Sequence, residues 1–165
     1  MQRIRPAIGG MKIEHWHSQE LYPSEQLDYG NLLGACMGNE GQPRSKQHCD
    51  TYKGNVLLSR NPAHPAHRIE DFVQYLTNGR IESHDDQFDR ELKEVLNLNH
   101  SLLVNNRKAV LDSFTRSLPP RTLGSLAWQR KLNEWNSVDG GELHEYCSVV
   151  VYWLRKRLAR AWDRL

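Results

Sequence analysis

The spacing of the hydrophobic residues changes once along this chain, near Gln87, and that change limits the fold more than any other feature. Before it, apolar residues come in short runs cut by Gly9-Gly10, Pro23, Gly30, Pro43, Asn61-Pro62 and Pro65. Interrupted runs of that kind suit short strands and loops, not long helices. After it, Phe88, Leu92, Val95 and Leu96, then Leu103, Val110, Leu111, Phe114 and Leu118, recur at three-to-four spacing. That is the period of amphipathic helices. The expected class is therefore α+β, with a small strand-containing N-terminal module and a mostly helical second half.

In the first part, Met11 to Trp16 alternates as a short strand does, and Asn31 to Cys36 is a second run able to pair with it. Residues 37–47 hold two glycines, a proline and three charges, and read as an exposed insertion. Residues 48–58 fit a short helix with Asp50 or Thr51 near its N-cap. Asp71 to Leu76 and Arg80 to Ser83 flank Thr77-Asn78-Gly79, a hairpin signal. Beyond Pro119-Pro120, a helix is expected over 121–136 with Leu123, Leu126, Leu132 and Trp135 inward. A last helix or mixed segment follows over 142–164. The division expected is 1–68 for the N-terminal module and 69–165 for the hairpin and helical extension.

A net charge of +2 is too small to argue for a nucleic-acid partner by itself, so such an argument has to rest on local charge and a site. No apolar run nears the roughly 18–20 residues of a membrane span, so no membrane partner is expected. Three cysteines, an odd number, argue against a secreted disulfide framework, and a cytoplasmic protein is expected.

The residues able to carry chemistry lie in the first module. Histidine changes charge near neutral pH, so His15 can act as a general base. Glu14 is a hard oxygen ligand of the kind magnesium takes, and Asp50 offers a second carboxylate. On a strand, neighbours point to opposite faces, so Glu14 and His15 serve one site only at a strand end. Each residue also has a plainer reading: His15 as a surface histidine, Asp50 as a helix cap, Lys53 as a solvated charge.

Taken together and in order, Ile13-Glu14-His15-Trp16, Leu27 to Cys36 (LDYGNLLGAC), His48 to Asn55 (HCDTYKGN) and Asn61-Pro62 resemble the HNH endonuclease superfamily. More narrowly, they resemble the HNH endonucleases of bacterial retron and Septu anti-phage systems. The four segments lie within residues 13–62, about a third of the chain, and Phe72 to Ser83, Leu96-Asn97-Leu98-Asn99 and Arg107 fit the narrower family. The resemblance implies a ββα-metal module in which two strands and a helix clasp one divalent cation, Mg²⁺ or Mn²⁺. It implies a metal-dependent phosphodiester hydrolase, with His15 as general base, Glu14 as metal ligand and Asn31 as the central brace that orients the base. Asp50 falls at the third motif position, usually His or Asn, with His48 as its competitor and Asn55 a distant third. Lys53 would meet phosphate.

Many HNH proteins hold a structural zinc with two cysteine pairs. Cys36 and Cys49 match the downstream cysteines, and no upstream Cys-x-x-Cys precedes His15. The expectation is a module truncated at its N-terminus, with Met1 an internal methionine. The alternatives are two ordinary half-buried cysteines, or a weak three-ligand zinc with His48 added. Cys147 reads as a core residue.

At the C-terminus, Arg155, Lys156, Arg157 and Arg160 alternate with Leu154, Leu158 and Ala161 as a basic amphipathic helix. It reads equally as a nucleic-acid contact and as a solvated face docked by its leucines. Trp128, Trp135, Trp153 and Trp162 read as core or interface residues, His64 and His67 as loop histidines. The resemblance further implies nucleic acid as substrate, DNA ahead of RNA, and an SMC/ABC-like ATPase as partner. In retrons it adds a reverse transcriptase and its RNA–DNA product. The function expected is the effector of such a defence system. The alternative is a catalytically impaired module of the same system that binds nucleic acid or the ATPase.

Overall fold

The computed structural model describes residues 4, 9–119, 123–138 and 142–162, residues 161 and 162 by their backbone alone. The expected α+β class holds in its coarse form: two small two-stranded sheets and a majority of helix among the ordered elements. The chain divides into two compact units. One comprises Ile4–Gln74 and Ile81–Ser101, the other Tyr75–Arg80 and the chain from Leu102 onward. The division expected at 68/69 is thus replaced by one in which residues 81–101 belong with the N-terminal module. The physical reason is that Phe88 and Leu92 lie buried in that unit's core.

In the first unit, β1 (Lys12–His15) and β2 (Leu32–Ala35) pair antiparallel, Glu14 opposite Leu33 and His15 opposite Leu32. The faces of β1 are not the ones a hydrophobic alternation suggests. Ile13 is 65% exposed, while Lys12 and Glu14 are half-buried, because the Lys12 ammonium pairs with both Glu14 and Asp50. Residues 40–46 are exposed, as expected of an insertion, and Arg44 lies over the Tyr52 ring at 4.4 Å. Helix α1 (Cys49–Lys53) is shorter than the 48–58 expected. His48 is its N-cap, and Gly54 at φ +58° ends it.

A single turn, α2 (Ile69–Phe72), leads into β3 (Val73–Tyr75) and β4 (Ile81–Ser83). Gly79 closes the hairpin at φ +86°, a conformation that glycine adopts without steric cost. Helix α3 (Asp86–Arg90) runs straight into a π-helical turn, Glu91–Val95. Here Glu91, buried although charged, accepts from the Ser59 backbone N–H at 3.0 Å, the Ser59 hydroxyl at 2.7 Å and the Gln87 amide at 3.1 Å. These bonds satisfy the carboxylate and tether the segment that leaves α1. His67 accepts from the Asn61 N–H at 2.8 Å and His64 from the Ala66 N–H at 3.3 Å, so both are loop-shaping residues.

The second unit is helical: α4 (Ser101–Arg116), α5 (Ser125–Asn136) and α6 (Cys147–Trp162). Its core holds Leu103, Leu111, Phe114, Trp128, Val149, Val150 and Leu154. Phe114 meets Trp135 and Trp153 edge-on at 5.4 and 5.8 Å, the favoured geometry for aromatic pairs. The buried Arg107 donates from Nε to the Gly79 carbonyl at 2.6 Å. Leu126, expected inward, is 66% exposed; the helix turns Trp128 inward instead. Residues 121–122 and 163–164 of the expected helices lie outside the described residues, and Cys147 is half-buried. No helix among the described residues is long and apolar enough to cross a membrane.

Asp85 ties two parts of the first unit together. It caps α3 by accepting from the Phe88 N–H at 3.0 Å, and it accepts from Arg60, whose guanidinium lies 3.4 Å from the centre of the Phe72 ring. The Phe88 N–H foremost, then Arg60, hold the Asp85 carboxyl below its ordinary value. Its contribution is present above the unfolded carboxyl's pKa and is lost as pH falls through the depressed folded value. Thermal melts from pH 6 down to pH 2 should show Asp85→Asn losing less stability than the parent in the acid range.

Candidate functional site

Asn31 is the residue through which the β1–β2 connection is held. It is 4% exposed, and its amide acts as a second peptide group. Oδ1 accepts from the His17 backbone N–H at 2.7 Å, and Nδ2 donates to the carbonyls of His17 at 3.0 Å and Glu25 at 3.3 Å. The Trp16 N–H donates to the Asn31 carbonyl at 2.8 Å. Around this clamp, His17 pairs with Glu25 at 2.6 Å and stacks on Tyr22 at 4.4 Å. Asp28 accepts from the Gly30 N–H at 2.8 Å. A polar connection of this length would ordinarily be mobile; here its ends are fixed side by side.

That fixing acts on His15, the last residue of β1. Its Nε2 lies 2.9 Å from the Gln26 carbonyl oxygen. A carbonyl only accepts, so Nε2 carries the proton and Nδ1 keeps the lone pair. The Gln19 side-chain amide also approaches Nε2, at 3.2 Å. With Nε2 a donor, the amide oxygen of Gln19 belongs on that side, an assignment decided by the bonding network. His15 is therefore held in one tautomer with a basic nitrogen available.

Glu14, one residue earlier, belongs to a different cluster. Lys12 Nζ lies 2.6 Å from Glu14 Oε1 and 3.5 Å from Asp50 Oδ2. Burial first, and then a hydrogen bond shared with Asp50, push the Glu14 carboxyl above its ordinary value, while Lys12 pulls it down. Strand β1 and the first turn of α1 thus bring two carboxylates together around an ammonium. Lys12 is the residue sequence reasoning missed; only the pairing of β1 and the approach of α1 reveal it. Lys53, expected to meet phosphate, is 6% exposed, with Nζ 3.7 Å from Asp50 Oδ1 and 3.3 Å from the Gly54 carbonyl. Its charge is turned inward to Asp50, so it serves the carboxylates. Asn55 donates to Glu20.

His48 is not with the carboxylates. It is 2% exposed, and its Nδ1 lies 3.2 Å from Cys49 Sγ. Cys36, His48 and Cys49 have their ligand atoms within 4.8 Å of one another, and among the described residues they form the group suited to hold a metal ion. The Cys36 thiol is pulled down to about 4, chiefly by its hydrogen bond with Cys49, with burial opposing and His48 and the Gly38 N–H assisting. A thiolate is the form that binds metal. The approach of the two segments needs Gly38 at φ +56°: a Cβ there would sit 2.3 Å from the His48 carbonyl and 2.7 Å from Thr51 Oγ1. The His48 N–H donates to the Gly38 carbonyl at 3.0 Å, and the Cys49 N–H to Leu96 at 2.7 Å.

In the other unit, Arg155, Lys156, Arg157 and Arg160 are exposed on α6, while Leu154 and Leu158 are buried. Arg157 lies 5.6 Å from the Trp128 ring centre and 5.5 Å from that of Trp153. The leucines dock the helix and the charges face solvent. No protein-family model matches the chain, and no curated protein matches it.

Two substitutions test this construction. Asn31→Ala leaves buried backbone groups of His17 and Glu25 without partners and should destabilise the protein by about 2 kcal/mol or more in urea titrations. Gly38→Ala forces a positive φ and a backbone clash, with an expected loss of about 2 kcal/mol on the same measurement.

Proposed function

We propose that the chain is a metal-dependent endonuclease of HNH type, its ββα-metal module formed by β1, β2 and α1. The observation that carries the reading is that Asn31 holds the Glu25 carbonyl while the carbonyl of the next residue, Gln26, holds His15. A buried asparagine fixes a loop whose carbonyl holds a histidine in one tautomer, with its other nitrogen free to take a proton. That arrangement suits a general base that must accept a proton from water near neutral pH.

The carboxylates of Glu14 and Asp50 fit a hard divalent cation, Mg²⁺ or Mn²⁺, since both are half-buried, face one another and present only oxygen. When bound there, such an ion supplies charge stabilisation to the phosphoryl oxygens and the leaving oxygen. The chain's own residues do the rest. His15 Nδ1 takes the proton of the attacking water, and the Nε2–H bond to Gln26 persists in the imidazolium, so the ring keeps its aim as it charges. Asn31 prevents the Gln26 carbonyl from drifting. If Glu14 and Asp50 held such an ion, Lys12 would have to give up its ion pairs with them and would become available to a substrate phosphate. His48 lies with the sulfurs and not with the carboxylates, which supports Asp50 as the third-position residue. Arg155, Lys156, Arg157 and Arg160 offer a backbone-contacting surface on α6.

The role consistent with the sequence resemblance is the effector of a retron- or Septu-type phage-defence system, cutting DNA ahead of RNA beside an SMC/ABC-like ATPase. A retron version would add the reverse transcriptase and its RNA–DNA product. A second reading is favoured by one observation: Lys12 already neutralises the carboxylates as a cation would. On that reading the module binds nucleic acid or the ATPase and does not cut.

The test is cleavage of plasmid, single-stranded DNA and total RNA with Mg²⁺ or Mn²⁺, with and without the ATPase. Cleavage should vanish with a chelator and fall about 100-fold or more in His15→Ala. A His15→Ala protein that cuts at the parental rate would exclude the base. A parent that is inactive on every substrate, and stays inactive as Lys12→Met, would favour the second reading.

A further inference from the structure

The connection between β1 and β2 is fixed in place, yet it carries apolar side chains into solvent. Leu27 and Tyr29 are 89% and 87% exposed, and Leu21 is exposed as well. Ile13 joins them from β1. It shares a sheet face with His15, whose Nε2 meets the Gln26 carbonyl, next to Leu27, at 2.9 Å. The loop beneath is held by Asn31, by the His17–Glu25 pair at 2.6 Å and by the stacking of His17 on Tyr22. Exposed apolar residues on a fixed support mark a surface for association, because docking there orders little further chain.

Charge decides what kind of partner fits. Glu20 and Asp28 are exposed among these apolar residues. Asn55 donates to Glu20 and the Gly30 N–H to Asp28, and neither carboxylate meets a cation among the described residues. Residues 4–74 and 81–101 hold nine lysines and arginines against fourteen acids, so this unit repels a polyanion and attracts a basic surface. Five of its nine cations are also engaged in ion pairs: Lys12, Lys53, Arg60, Arg68 and Lys93.

The chain itself carries the complementary surface. Residues 75–80 and 102–165 hold twelve lysines and arginines against six acids, the reverse balance. On α6, Arg155, Lys156 and Arg160 are exposed, and none of them pairs with a carboxylate among the described residues. Lys156 and Arg160 are like charges four apart on one helix face, an arrangement that weakens a helix. The helix dipole favours Arg160, in the last turn, but not Arg155 and Lys156 further back. Lys156 lies 4.8 Å from the centre of the Tyr152 ring, so the stripe sets an aromatic side chain among its cations.

We propose that the chain associates with a second copy of itself, the 21–29 surface of one copy docking on the α6 stripe of the other. Leu21, Leu27 and Tyr29 supply apolar burial, and Glu20 and Asp28 face the unpaired cations. The contact is heterologous, joining two different surfaces. These cations are also the ones offered to nucleic acid above, so a second copy and a polyanion exclude one another on α6. The inference does not rest on the nuclease reading, because its readout is mass in solution and not cleavage.

The test is sedimentation velocity on the full chain freed of nucleic acid, at concentrations up to about 100 µM. Association should rise with concentration and weaken roughly 10-fold between about 50 and about 500 mM salt. Leu27→Asp with Tyr29→Ser should abolish it. Two charge-reversed chains then test the pairing: Glu20→Lys with Asp28→Lys, and Arg155→Glu with Lys156→Glu and Arg160→Glu. Each alone should be monomeric, since its two surfaces carry the same sign. Mixed, they should associate, because opposite signs meet again. If the first of these does not fold, Glu20→Lys alone carries that arm. A parent that is monomeric at the highest concentration and the lower salt overturns the proposal, and so does a mixture that stays monomeric. A monomeric parent whose binding to a DNA duplex falls in Leu27→Asp with Tyr29→Ser would assign the surface to nucleic acid instead.

Discussion

One buried side chain governs the first unit. Asn31 makes three hydrogen bonds to backbone groups on either side of the β1–β2 connection. A two-stranded sheet of four-residue strands is marginal in water by itself. A fixed connection removes much of the entropy that such a pair would otherwise have to overcome. One of these bonds reaches the Glu25 carbonyl, next in the chain to the Gln26 carbonyl that faces His15. The position of His15 is thereby tied to the integrity of the fold. A change at Asn31 cannot act on one without the other.

The carboxylate pair shows the opposite logic. Glu14 and Asp50 repel one another, and burial raises the cost of ionising Glu14. Lys12 and Lys53, which sit near the two carboxylates, offset that repulsion. On the proposed reading, a divalent cation would have to compete with an intramolecular ammonium.

Much of this was legible in the residues and some was not. The Asn78-Gly79 hairpin, the helical second half and the exposed insertion followed from local chemistry, because turns and amphipathic periods are short-range properties. The inward face of β1 did not follow, because Lys12 and Glu14 turn in toward Asp50, a partner 36 residues past Glu14. Asp50 and His48, two residues apart, were open competitors for one role. They separate because His48 caps α1 beside the sulfurs while Asp50 lies in the helix's first turn, toward β1. Lys53 was misread for a related reason: a lysine at the end of a short helix looks solvated until the carboxylate three residues earlier is seen to hold it.

By itself, the sequence determined the composition of the site: an acid beside a histidine, an asparagine ahead of a second strand, and two cysteines flanking a glycine-rich insertion. It also determined the change from strand to helix near Gln87, since hydrophobic period is written residue by residue. Only the tertiary structure decided which of these groups meet. Contacts between Lys12 and Asp50, or Asn31 and Glu25, depend on how short elements pack, and packing is set by burial summed over many residues. No local pattern records it.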